Sequence, residues 1–396
     1  MTSHSRSDAS PTASLPEEAH AALRYFSLAP ELIHLNHGSY GAVPRTVQAE
    51  QDRLRAEVER DPTGYFQYRY PEDVRRAIET APIRFGGDAQ DWVFCENATA
   101  AVNSVLASMP LKPGDELVTT SHAYGAVLKA MQLWAARKQA VVRIAEVPPA
   151  VESDGQVVEA ITRAFTERTR LLVVDHITSP TAIVFPIVEI VRAARAAGIP
   201  VLVDGAHAPG QVPLDVPALG ADWYTGNAHK WFFAARGCGL LWTAPRWQEI
   251  TRPAVLSHGT DRGYTESFDW IGTRDPTPWL SLKAAAEAFD RFGGAALMAR
   301  NRRLAAEAAE VIARRINGSP SAPASMRAAM ASIRLPTSSA SPEEAQRLRA
   351  ELHRAGFVAP ISYFGGALWI RLSAQLYNQR SDYERCAAAL RELGLR

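Results

Sequence analysis

From Trp92 onward the chain alternates short apolar runs with stretches of helical periodicity. The reading is strand Trp92–Phe94, helix Ala100–Ser108 opened by Asn97-Ala98-Thr99, strand Glu116–Thr120, helix Ala126–Arg137 and strand Val141–Val147. It continues with helix Val158–Phe165, strand Leu171–Asp175, helix Val188–Ala197, strand Val201–Asp204, and a further strand at Gly237–Trp242. Such alternation implies a mostly parallel sheet covered on both faces by helices, with ligands gathering at the carboxyl ends of the strands. Ahead of it, Ile33–Gly41 is an apolar entry into a glycine-flanked turn, and Pro44 opens a helix with Val47, Leu54 and Val58 on one face. The aromatic group Tyr65, Phe66, Tyr68 and Tyr70 is expected in a loop begun by Asp61-Pro62, packed against that helix or walling a pocket. Helical patterns at Trp279–Phe292 and Ala295–Ile316 precede strand Ala328–Leu335, helix Pro342–Arg354, strand Ala367–Leu372 and helix Ser381–Leu393. The domains expected are a flexible tail over 1–19, a segment 20–45 joining the small domain, a large domain over 46–290, and a smaller α+β domain over 291–396.

Composition changes this picture little. The chain has 396 residues, 47% hydrophobic and 21% charged, with a net charge of +1, so nothing favours nucleic acid or an anionic membrane. Cys95, Cys238 and Cys386 are too scattered for a disulfide framework or a zinc knuckle, which suits a reducing cytoplasm. No apolar run approaches the roughly 18 residues of a membrane span, and the first residues lack the apolar core of a signal peptide. No metal-binding, P-loop, GxSxG or GxGxxG motif is present in a suitable context.

The candidate chemistry centres on Lys230, in Thr225-Gly226-Asn227-Ala228-His229-Lys230-Trp231, and on Asp204, which ends an apolar strand. An aspartate at a strand's carboxyl end with a lysine on a later turn is what a pyridoxal phosphate site needs: the lysine carries the aldehyde, the acid keeps the ring nitrogen protonated. A solvated lysine on a turn is the plain alternative. Asn97-Ala98-Thr99 can cradle a phosphate at a helix start or simply cap it. Tyr124 can stack on a cofactor ring or fill the core, and His176 can bond a phenolic oxygen or be a satisfied core histidine. Arg371, inside an apolar strand, can grip a carboxylate with two hydrogen bonds or form an ordinary ion pair.

Taken together these residues resemble the class V aminotransferase superfamily of pyridoxal phosphate enzymes, of fold type I, and within it the isopenicillin N epimerase-like group. The motifs that carry the resemblance are Leu35–Gly41, Asn97–Asn103, Ser179-Pro180-Thr181, Asp204–Gly210, Thr225–Trp231, Gly272-Thr273-Arg274-Asp275, and Arg371 with Tyr377-Asn378. The fold implied is α/β, a large domain with a mostly parallel sheet between helices and a smaller α+β C-terminal domain. The resemblance implies Lys230 as the aldehyde-carrying lysine, Asp204 as the ring-nitrogen partner, and Tyr124 as the stacking ring. Ala98, Thr99, Asn227 and His229 would lie at the phosphate, His176 and His207 near the phenolic oxygen. Thr273 would reach the phosphate of a neighbouring subunit, which implies a homodimer, and Arg371 would clamp the substrate carboxylate. The turn carrying Asn36, His37, Ser39 and Tyr40 is expected to position substrate, with His37 or Tyr40 as an acid. Cysteine desulfurases of this class carry a nucleophilic cysteine ahead of the clamp arginine. Gly356–Pro360 has none, which argues against persulfide formation.

The implied reaction starts with α-proton removal by Lys230 from a small-molecule amino-acid substrate. The first reading is a C–S β-lyase acting on a bulky cysteine S-conjugate in specialised, lincosamide-like metabolism. The alternatives are amino-acid epimerisation, decarboxylating oxidative deamination, and an inactive scaffold relative.

Overall fold

A computed structural model describes residues 19–396. The tail expected over 1–19 lies outside the described residues except for Ala19. Thirteen strands run in chain order among those residues. They are β1 (Ile33–His34), β2 (Trp92–Cys95), β3 (Glu116–Thr120), β4 (Val141–Ala145), β5 (Thr169–Asp175), β6 (Val201–Gly205) and β7 (Trp223–Asn227). The remainder are β8 (Gly239–Thr243), β9 (Ser319–Pro320), β10 (Met330–Arg334), β11 (Phe357–Val358), β12 (Ile361–Phe364) and β13 (Ala367–Ser373).

The large domain is built on a seven-stranded sheet in the order β2-β8-β7-β6-β5-β3-β4. Only β8 runs against its neighbours. The central strands are apolar on both faces because both are covered. Leu171, Val173 and Leu202 enter one core, with Val102 and Val105 of helix Ala98–Ser108 and Met131 of helix Gly125–Arg137. Leu172, Val174, Val201 and Val203 enter the other, with Ile190 and Val191 of helix Ile187–Ala196. β5 and β6 are in register, so Asp175 stands beside Asp204 at the carboxyl edge.

The second unit is an antiparallel sheet in the order β12-β13-β10-β9, packed by helices Ala295–Ile316, Pro342–Arg354 and Arg380–Glu392. Helix Ala295–Ile316 buries Leu297, Leu304, Ala308, Ile312 and Ile316, a helical stripe, and ends on Asn317 in the left-handed region. Helix Pro342–Arg354 starts where the Ser341 hydroxyl accepts the Glu344 N–H, with Pro342 at its first position. The N-terminal segment joins this unit: β1 pairs in parallel with β11, and the Ser373 N–H donates to Leu35 O.

Three expectations change. The aromatic group is helical, not a loop: Pro62–Gly64 leads through a π-turn, Tyr65–Arg69, into helix Tyr70–Ile78. The Asp61 carboxylate caps the start, and the wider turn lets Tyr70 N–H reach Tyr65 O just before Pro71, which has no N–H to give. The helix expected over Trp279–Phe292 breaks at Ser281 into Thr277–Leu280 and Leu282–Arg291. The short strands β11 and β12 fall in a stretch where the sequence reading has no element.

Candidate active site

At the carboxyl edge of β5, β6 and β7 lies a cavity of about 390 Å³. Lys230, Asp204, Asp175, His207, Thr99 and Tyr124 are among its lining residues. Lys230 follows β7 by three residues, on a loop that returns to β8. Its Nζ is 3.3 Å from His207 Nε2. Burial and the nearby Arg371 charge lower the Lys230 pKa to about 8, against the pull of Asp204 and Asp175. Burial, then the Lys230 and Arg371 charges, hold His207 well below the usual histidine range and therefore neutral.

Asp204 is buried and its Oδ1 accepts the Ala206 N–H. Burial pushes its carboxyl above the ordinary carboxylate range. A buried carboxylate in that condition favours a cationic partner, which a protonated ring nitrogen supplies. Asp175, its in-register neighbour, is pushed up further by burial and by Asp204 itself. The sequence pattern names His176 for this edge and not Asp175. Strand alternation decides between them. Asp175 continues the face of Leu171 and Val173, as Asp204 continues that of Leu202; Asp175, Ile177 and Ser179 line the cavity. His176 follows Leu172 and Val174 to the opposite face, where its Nδ1 meets the Tyr224 hydroxyl at 2.9 Å. It does not line the cavity, and the expected contact to a phenolic oxygen is not available to it.

The phosphate end is also redistributed. Asn97 caps helix Ala98–Ser108 by accepting the Ala100 N–H, and Asn227 Oδ1 accepts the Ala98 N–H at 2.8 Å. The Ala98 donor is thus consumed by a residue 129 positions away, and Ala98 contributes shape instead of a hydrogen bond. The Thr99 N–H and hydroxyl, and His229 Nε2, have no partner among the described residues and face this end. His229 is oriented by Nδ1 on Cys238 O, 3.1 Å.

A second cavity of about 410 Å³ adjoins the first, sharing Ser39, Tyr124 and Ser179. Arg371 lies at the junction. Its Nη1 donates to Ser179 O at 2.7 Å, its Nη2 to Ser39 Oγ at 3.0 Å and Asn36 Oδ1 at 3.2 Å. No carboxylate pairs with it among the described residues, and its buried Nε has no partner. Burial lowers its pKa to about 10, which leaves it charged. An unpaired buried guanidinium is an anion site. Asn36 holds that guanidinium and lines neither cavity. Ser39 lines both, and Tyr40 stands at the mouth, 72% exposed.

His37 is elsewhere. It is buried, with Nδ1 on the Tyr377 hydroxyl at 3.0 Å and Nε2 on Lys230 O at 2.9 Å. Burial lowers its pKa to about 4. Both nitrogens are committed to tying the N-terminal turn to the lysine loop, so His37 is a brace and not an acid facing substrate. Thr273 is exposed and lines neither cavity; next to it Arg274 pairs with Glu96 at 2.6 Å and stacks on Trp279.

A carbonyl-reactive amine, an acid for a ring nitrogen, and donors for a phosphate thus share one chamber, and pyridoxal 5′-phosphate fits it. The "Aminotransferase class-V" family model matches residues 70–359. The chain is 32% identical over 390 residues to the isopenicillin N epimerase of Amycolatopsis lactamdurans, covering 93% of this chain and 96% of that one. It is 30% identical over 398 residues to a putative L-cysteine desulfhydrase of Oryza sativa subsp. japonica, covering 91% and 82%. Its fold matches the solved cysteine desulfurase of Thermococcus onnurineus NA1 with a TM-score of 0.78 at 18% identity, over 96% of this chain and 98% of that one. The chain belongs to the class V aminotransferase family and is a pyridoxal phosphate-dependent enzyme of its epimerase, cysteine desulfhydrase and C–S lyase group.

Proposed function

We propose that this enzyme is a β-lyase that cleaves the C–S bond of a cysteine S-conjugate. The observation that carries the reading is Arg371, a charged, buried guanidinium without an acidic partner among the described residues, at the junction between the Lys230 chamber and a second chamber of about 410 Å³. It binds the substrate α-carboxylate and points the α-carbon toward Lys230. When bound, the cofactor supplies a cationic ring that accepts the charge left on the α-carbon. Asp204 holds the proton on the ring nitrogen. The Lys230 amine takes the α-proton; with a pKa lowered to about 8 it is a competent base near neutrality. The Cβ–S bond then breaks, the sulfur leaves as thiolate and takes up a proton, and water converts the remaining enamine to pyruvate and ammonium.

Epimerisation is the second reading, favoured by the 32% identity to an isopenicillin N epimerase. The same α-proton is removed and returned to the opposite face. We further propose a homodimer in which Thr273, exposed and outside both cavities, reaches the neighbouring subunit's phosphate end.

Incubating the loaded enzyme with S-substituted L-cysteines separates the readings. Elimination releases pyruvate and thiol in equal amounts, and Lys230→Ala abolishes both. Arg371→Ala raises KM at least about a hundredfold, the cost of about 3 kcal/mol for a lost charged pair. Loss of optical activity without pyruvate would replace the lyase reading with the epimerase.

A further inference from the structure

The second cavity has a nearly uncharged lining. It is bounded by the turn after β3, carrying Ser121 and Tyr124, and by Pro360, Ser362 and Phe364 of the small domain. Among the described residues Arg371 is its only charged lining residue, at the end shared with the Lys230 chamber. Once the α-carboxylate occupies that guanidinium, no charge is left in the lining to meet another ion. A cationic group would enter without a carboxylate and a second anion without a free cation, so neither gains an ion pair for the hydration it gives up, whereas a neutral group gives up less.

The remaining surface is mixed, with polar and apolar side chains. Ser39 accepts from Arg371 and donates to Asn36, Ser179 Oγ accepts from Arg371 at 3.3 Å, and the Ser121 hydroxyl is spent on the Val147 backbone. The Ser362 and Tyr124 hydroxyls have no partner among the described residues, and Tyr124 is 47% exposed. The half-buried Phe364 ring lies 4.8 Å from the His122 ring. His122, behind that ring, is held by Thr181 Oγ1 at 2.7 Å and Pro148 O at 2.9 Å, so Phe364 packs on a fixed partner. With about 410 Å³ available, a bare thiol would leave the chamber to water.

We propose that this chamber seats the sulfur substituent and is built for an uncharged group larger than methyl, with a ring or apolar face against Phe364 and hydroxyl or amide groups toward Ser362 and Tyr124. The proposal rests on the reading that Lys230 and Arg371 seat a cysteine S-conjugate, and it makes Ser362 and Phe364 specificity-determining residues.

The test uses the cofactor-loaded Lys230→Ala protein, so that binding is measured without turnover, with S-methylcysteine as the small reference. S-benzylcysteine and S-(2-hydroxyethyl)cysteine represent the neutral class, S-aminoethylcysteine the cation and S-carboxymethylcysteine the anion. The benzyl conjugate binds about tenfold or more tighter than the reference, the gain typical of a filled apolar pocket. The hydroxyethyl conjugate binds more tightly than either charged conjugate of similar length. Adding Ser362→Trp, which fills the chamber, or Phe364→Ala, which removes its wall, narrows the benzyl-to-methyl ratio toward one. Charged conjugates binding as well as neutral ones, or ratios unmoved by both substitutions, overturn the chamber assignment. Selective binding of neutral conjugates with no pyruvate from the Lys230-containing enzyme leaves the chamber standing and removes the lyase reading. Pyruvate formed with equal KM from all five does the reverse.

Discussion

An amine attacks an aldehyde only as the free base, so the surroundings of Lys230 govern cofactor uptake. Burial and Arg371 lower its pKa from the usual 10.5 to about 8, while Asp204 and Asp175 act the other way. The rate of uptake by cofactor-free protein therefore rises with pH through about 8 and levels off above it, followed as growth of visible absorbance after mixing. Arg371→Ala removes a positive neighbour and moves the inflection up; Asp204→Ala removes a negative one and moves it down. An inflection that both substitutions leave unmoved would show that these charges do not act on the amine. At this scale the sequence carried the chemical types but not their orientation. Lys230, Asp204, His207, Thr99 and Tyr124 line one cavity, whereas His176 and His37 turn away. The alternation of Leu171, Val173 and Asp175 was the available signal for the missed acid.

Among the elements, the N-terminal turn acts on the lysine loop from outside. Gly41 has φ +67°, and a β-carbon there would lie 2.1 Å from His229 O and 2.9 Å from Lys230 O. Gly41→Ala therefore displaces the loop that carries both residues. It should cost on the order of 1–3 kcal/mol of stability and weaken cofactor affinity, read by urea unfolding and by cofactor titration. An alanine variant with native affinity would remove this buttressing role. Helices with a clean stripe and a cap were legible in the sequence to the residue, as with Ala295–Ile316 and Pro342–Arg354. The segment 62–78 was not, because its two prolines argue for a loop while an Asp61 cap and a π-turn let the chain stay helical through them.

Across the molecule, five deeply set histidines share one liability. Burial lowers His37, His122, His176 and His229 to about 4, and His207 well below its ordinary range. In the unfolded chain each titrates near 6.5. Above that value neither state binds the proton; below it the unfolded chain does and the folded one does not, so stability falls as pH drops from 6.5 towards 4. Each group contributes on the order of 1–3 kcal/mol to that loss. Urea midpoints measured down this range should fall steadily, and a flat profile would show that these rings take up protons in the folded state. The sequence by itself determined the alternation of strands and helices from Trp92 to Asp204, the apolar character of the covered sheet, and the presence of the lysine, acid and arginine. These follow from periodicity and residue type, which are local. Only the tertiary structure decided that Asp175 faces the chamber, that Asn227 consumes the Ala98 donor, and that Arg371 has no carboxylate beside it among the described residues. Those outcomes depend on which distant atom arrives at hydrogen-bonding distance, across 129 positions for Asn227 and 335 for Asn36, and no local pattern encodes that arrival.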